Sequence, residues 1–190
     1  QEMVFTEVFV LTVVLSVALR LYLASRQVRH IAMNRAQVPA EFSEQISLQD
    51  HQKAADYSVA KTRLGMVNVL IEATILMGFT LLGGLEWIQS FTSTTAEGIL
   101  AGLLLIAVVG LIGSVLDLPL SYYKQFVLEE RFGFNRMKKG LFIGDWLKGL
   151  LVGALIGGPL VLAVLYLMRE AGQQWWVYAW ALWFGFSLLL

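Results

Sequence analysis

The chain has 190 residues, of which 57% are hydrophobic and 15% charged, and its 14 basic and 14 acidic side chains give a formal charge of zero. The mean hydropathy is +0.67 and the apolar share exceeds the roughly 45–50% of soluble domains, which places the chain in lipid. The neutral balance offers no basic surface to nucleic acid, and the absence of cysteine excludes disulfides and thiolate metal sites.

Apolar runs of about 20 residues match a bilayer core of about 30 Å. They predict an all-α, polytopic membrane bundle of five transmembrane helices in one domain, at about 4–24, 64–85, 99–120, 148–168 and 175–190. The first run lacks the small-residue cleavage site of a signal peptide, and Glu2 and Glu7 stand where such a peptide needs bases. It reads as a retained helix. Between the first two runs, Ser47-Leu-Gln-Asp50 has the form of a capping box, and "HQKAADYSVAKTRLG" follows without a proline. This predicts a cytoplasmic helical arm continuing into the second span. Pro39 can open a short helix containing Phe42 and Ile46.

In the second run Asn68 and Glu72 lie four apart on one helical face. A carboxylate in hydrocarbon must pair, protonate or meet water, so the two are candidates to line an internal chamber or to clasp a neighbouring helix. Asp117, two residues before Pro119, sits near the interface and reads as structural. Between the third and fourth runs, "FVLEERFGFN" packs two acids, a base and aromatics around Gly133, where a turn can form that would penalise a side chain. In the fourth run Gly149, Gly153 and Gly157 form a smooth stripe suited to close helix packing, and Gly158-Pro159 can bend the helix. The fifth run ends on "FSLLL" without a cap or polar flank, as expected of a chain cut from a longer parent.

Seven bases fall from Arg20 to Arg63 and six from Lys124 to Lys148, while the expected loop at 86–98 carries Glu86 and Glu97 and no base. The positive-inside rule then puts 25–63 and 121–147 in the cytoplasm and the N-terminus outside. Trp175, Trp176, Tyr178 and Trp180 suit an aromatic belt at the outer end of the fifth span.

No catalytic constellation, cofactor site or metal site is visible. His30 and His51 are the two histidines, and their separation fits no zinc spacing. The chain has no His-Glu-x-x-His, Gly-x-Ser-x-Gly or phosphate-cradling glycine loop. A histidine beside Asp50 reads as a surface residue before a base.

Two stretches carry a family resemblance. "LPLSYYKQFVLEERFGFN" (Leu118–Asn135), followed by "GLFIGDWLKG" (Gly140–Gly149), resembles the region after the third membrane helix of the type I CaaX prenyl proteases, and the arm "HQKAADYSVAKTRLG" (His51–Gly65) is similar to the corresponding loop of their bacterial members. The resemblance implies a membrane-embedded zinc metalloprotease whose seven helices enclose a water-filled chamber. Zinc would be held there by the histidines of His-Glu-x-x-His and a later glutamate. None of those residues is present, so the chain resembles the N-terminal membrane module of such an enzyme. The zinc, the C-terminal catalytic domain and the protein or peptide substrates would belong to the full-length parent. Glu129, Glu130, Arg131, Phe132, Phe134 and Asn135 are then candidates to dock the catalytic half or border the substrate entrance. The membrane would be a bacterial cytoplasmic membrane, or that of the endoplasmic reticulum in a eukaryote. A module lacking two helices of the ring is expected to self-associate. The competing reading is a non-enzymatic membrane module, a transporter half or scaffold, with Asn68 and Glu72 on a polar path.

Overall fold

The computed structural model describes residues 2–42 and 44–189, all helix and connection with no strand among them. The order is α1 (Glu2–Asn34), a 3₁₀ turn (Ala40–Phe42), α2 (Leu48–Thr80), α3 (Gly84–Thr95), α4 (Ile99–Tyr123), a π-helical turn (Lys124–Leu128), α5 (Glu129–Arg131), α6 (Lys139–Glu170), a second 3₁₀ turn (Gly172–Gln174) and α7 (Trp175–Leu189). Among the described residues, four helices are long and apolar enough to cross a membrane; α7, with 15 residues, is shorter. Four of the described residues, Ala55, Ile88, Leu128 and Thr92, are buried within the protein. Many apolar side chains are exposed, as lipid rather than water as solvent allows. The residues cluster into two compact units, Gln1–Leu82 with Leu118–Arg136, and Gly83–Asp117 with Met137–Leu190.

The first unit is built on α1 packed against α2. Each has 33 residues, or about 50 Å at about 1.5 Å per residue, against a hydrocarbon core of about 30 Å. The surplus is the arm. The helices run past the apolar stretches expected at 4–24 and 64–85 because neither 25–33 nor 48–63 contains a proline or glycine to stop them. Ser47 caps α2 as its spacing predicts: its Oγ accepts from the Asp50 N–H at 3.1 Å and donates to the Asp50 carboxylate at 2.6 Å. After Pro39 the turn is 3₁₀ and short, with the Ile46 N–H returning to the Phe42 carbonyl and Ile46 lying outside it. Helical geometry continues from Leu118 through the π-helical turn into α5, with Leu128 buried at the turn's end.

In the second unit the stretch read as a loop at 86–98 holds α3. Its Ser and Thr content suggests irregular structure, yet the hydroxyls turn back into the helix. Ser90 donates to the Trp87 carbonyl, Ser93 to that of Ser90, and Thr94 and Thr95 to that of Phe91. That local satisfaction lets these residues stay helical. Ile88 and Thr92, one turn apart, are the least exposed of the described residues at 2% and 1%. Trp146 Nε1–H of α6 donates to Ser114 Oγ of α4 at 2.7 Å. Gly102 of α4 meets Leu165 of α6, whose Cδ1 would lie 3.3 Å from a Cβ at that position. α6 begins at Lys139, ahead of the expected 148, and carries Pro159 inside it.

Candidate functional site

Residues 129–135 close the first unit as a helix C-terminus. Phe132 ends α5, Gly133 takes the left-handed conformation (φ 75°), the Gly133 N–H reaches the Glu130 carbonyl at 3.0 Å and the Phe134 N–H reaches that of Glu129 at 2.9 Å. This paired bonding is a Schellman cap, and the turn requires a residue without a Cβ penalty at Gly133. The chain reversal brings Phe132 and Phe134 to one ring. Tyr57 of α2 meets Phe132 edge-on at a centroid distance of 5.4 Å and Phe134 at 4.9 Å. Lys53, one turn earlier on α2, places Nζ 5.3 Å from the Phe134 ring, and the Arg131 guanidinium lies 5.8 Å from the Phe132 ring.

The polar side chains of the loop bond to one another and to the preceding turn. Asn135 Nδ2 donates to Glu130 Oε2 at 2.7 Å, while Asn135 Oδ1 accepts from Gln125 Nε2 at 2.8 Å. Glu130, Arg131 and Phe134 remain exposed. The structure thus brings all six candidate docking residues into one turn backed by α2.

Beside this turn, Arg35 grips Asp56 with two parallel bonds, Nε to Oδ1 at 2.7 Å and a terminal guanidinium nitrogen to Oδ2 at 2.8 Å. Asp56 lies in the polar arm, before the apolar run of α2. The hydrogen bond from Arg35 holds its carboxyl below the usual range, with the charges of Arg35 and Arg131 adding and partial burial opposing. The Arg35 guanidinium is raised in turn, chiefly by the same hydrogen bond. His51 Nε2 is 3.0 Å from the Asn34 carbonyl; a carbonyl only accepts, so this nitrogen carries the proton and closes the end of α1. His51 therefore serves as a cap.

Asn68 and Glu72 do meet, Asn68 Nδ2 donating to Glu72 Oε1 at 2.6 Å. Glu72 also faces Arg20 of α1, with Nη1 to Oε2 at 3.9 Å. Spacing alone does not reveal Arg20 as a partner. One clue is available: once α1 and α2 are antiparallel, stepping back from Arg35 to Arg20 and forward from Asp56 to Glu72 covers nearly equal lengths, so one register makes both pairs. Tyr57 and Lys53 leave no comparable trace, since their partners lie far along the chain. The stripe residues Gly149, Gly153 and Gly157 have no atom within 4 Å of an added Cβ, and the close helix contact of that unit falls at Gly102 instead.

Zinc does not fit the described residues. They contain no group of three or more His, Cys, Asp or Glu side chains able to hold a metal ion.

The family described as CAAX prenyl protease N-terminal, five membrane helices, matches residues 27–190. The chain belongs to this family. Among curated relatives it is 31% identical to the CAAX prenyl protease 1 homolog of Oryza sativa subsp. japonica over 89% of this chain and 41% of that protein. It is 38% identical to the homolog of Taenia solium over 54% of this chain and 22% of that one. Its fold matches the crystal structure of S. mikatae Ste24p with a TM-score of 0.85 at 24% identity, over 93% of this chain and 42% of that one. The chain thus spans less than half the length of these relatives. It is the N-terminal membrane domain of the CAAX prenyl protease fold, an integral membrane bundle of helices.

Proposed function

We propose that this domain forms part of the wall of an intramembrane chamber in a zinc metalloendopeptidase acting on prenylated protein C-termini, and docks the catalytic part of that enzyme through Glu129–Asn135. The zinc ligands and the nucleophilic water would come from the partner, because this chain lacks His-Glu-x-x-His. One observation carries the docking reading: the loop is fixed from behind by the Tyr57 ring while Glu130 and Arg131 stay exposed. A surface held rigid and charged is pre-organised to bind without further ordering cost. Asn68 and Glu72 would line the chamber, and the glycine stripe would meet a helix of the catalytic part. The distribution of bases supports an N-terminus outside and the arm and loop in the cytoplasm.

The test joins this domain to its catalytic part and compares Glu130→Ala and Arg131→Ala with the parent in hydrolysis of a prenylated peptide. Each is expected to lower kcat/KM by about tenfold or more, the cost of truncating a charged interface pair. Helix content and thermal stability should stay near the parent's. Unchanged proteolysis by both variants would remove the docking role.

A further inference from the structure

The α1–α2 seam opens into two adjoining cavities of about 370 and 530 Å³ that share Arg20 and Val69. Small residues make the space. Thr12, Ser16 and Ala73 line the first cavity, and Ala24, Ser58 and Gly65 the second, where larger side chains would have closed the seam. Gly65 has no atom within 4 Å of an added Cβ. The cavities differ in chemistry. The first is walled mainly by apolar side chains such as Phe9, Val13, Val17 and Leu76. The second has Arg20 and Lys61 with the polar Gln27 and Ser58, and no acid among its lining residues.

We propose that this seam binds one anionic phospholipid, its phosphate between Arg20 and Lys61 and an acyl chain along the apolar cavity. Charge complementarity selects the headgroup: two cations, an amide and a hydroxyl are among the residues lining this one cavity, and a phosphodiester needs donors. Arg20 can serve it because its approach to Glu72, at 3.9 Å, is longer than a hydrogen bond. The apolar cavity selects the tail, since an inorganic anion would leave it empty. Glu72, which lines the first cavity and faces Arg20, disfavours an anion placed there and so fixes the headgroup at the arm end.

The test is native mass spectrometry of the full chain in detergent, titrated with phosphatidylglycerol or with phosphatidylcholine of the same acyl chains. The expected result is preferential retention of phosphatidylglycerol. Arg20→Gln and Lys61→Gln should each weaken it about fivefold, the share of one basic residue at a membrane surface. Gly65→Leu, which favours the helix and fills the cavity, should weaken it more than about tenfold with helix content unchanged. Equal retention of both lipids, wild-type retention by Gly65→Leu, or displacement of phosphatidylglycerol by millimolar inorganic phosphate would each overturn the proposal. So would displacement by a farnesylated peptide without any lipid preference, which would assign the seam to a peptide.

Discussion

At the scale of single residues, Gly133 controls the loop. A Cβ there would meet only Lys53 Nζ, at 4.0 Å, so space is available and the conformational cost of φ 75° remains. Gly133→Ala should therefore destabilise the domain by about 1–2 kcal/mol, measured by chemical or thermal unfolding in detergent, whereas Gly133→Asn should cost less. Equal stability of the parent and the Ala variant would mean that the turn relaxes into another form. This residue was legible in the sequence because glycine between two aromatics after a charged helical run admits few turns, and Ser47 was legible because its cap depends only on a spacing of three. Tyr57 was not, since nothing local to α2 says that its ring is gripped by two phenylalanines from beyond α4. Arg20 and Arg35 read only as members of the run of seven bases from Arg20 to Arg63; their carboxylate partners emerge only once the α1–α2 register is known.

Among elements, the α1–α2 pair is tied at the arm end by the Arg35–Asp56 bonds. The Asp56 carboxyl is held below its ordinary value in the folded chain. Its contribution to stability is therefore complete above the unfolded pKa, about 3.9, and is lost as pH falls through the lower folded value. Amide exchange near Asn34 and His51 should be slow at pH 6 and accelerate, beyond the intrinsic pH effect, below about pH 4. Asp56→Asn should abolish that added acceleration; its persistence in the variant would place the sensitivity elsewhere. The long helices were legible as apolar runs, and the start of α2 through its Ser47 cap, but the end of α1 and the start of α6 were not, because polar helix and polar loop share a composition. α3 was missed for a related reason: its serines and threonines read as a connection until their hydroxyls are seen bonded to the preceding turn.

For the molecule as a whole, a domain that, on the reading proposed above, meets further helices leaves the surface that they would cover open. Leu151 and Leu155, beside the glycine stripe, are 63% and 67% exposed. We expect the isolated chain to form dimers or higher oligomers in detergent, seen by light scattering with the micelle contribution subtracted, and a monodisperse monomer would refute this. On the membrane placement proposed above, the unbroken helices α1 and α2 have a mechanical corollary. About 20 Å of stiff lever would stand beyond the lipid, carrying the Tyr57 ring and the loop beside it. A thinner bilayer, answered by tilting of the pair, would swing that tip sideways by several ångström. Membrane thickness thereby becomes a coordinate along which the charged tip changes position while every hydrogen bond within it stays intact.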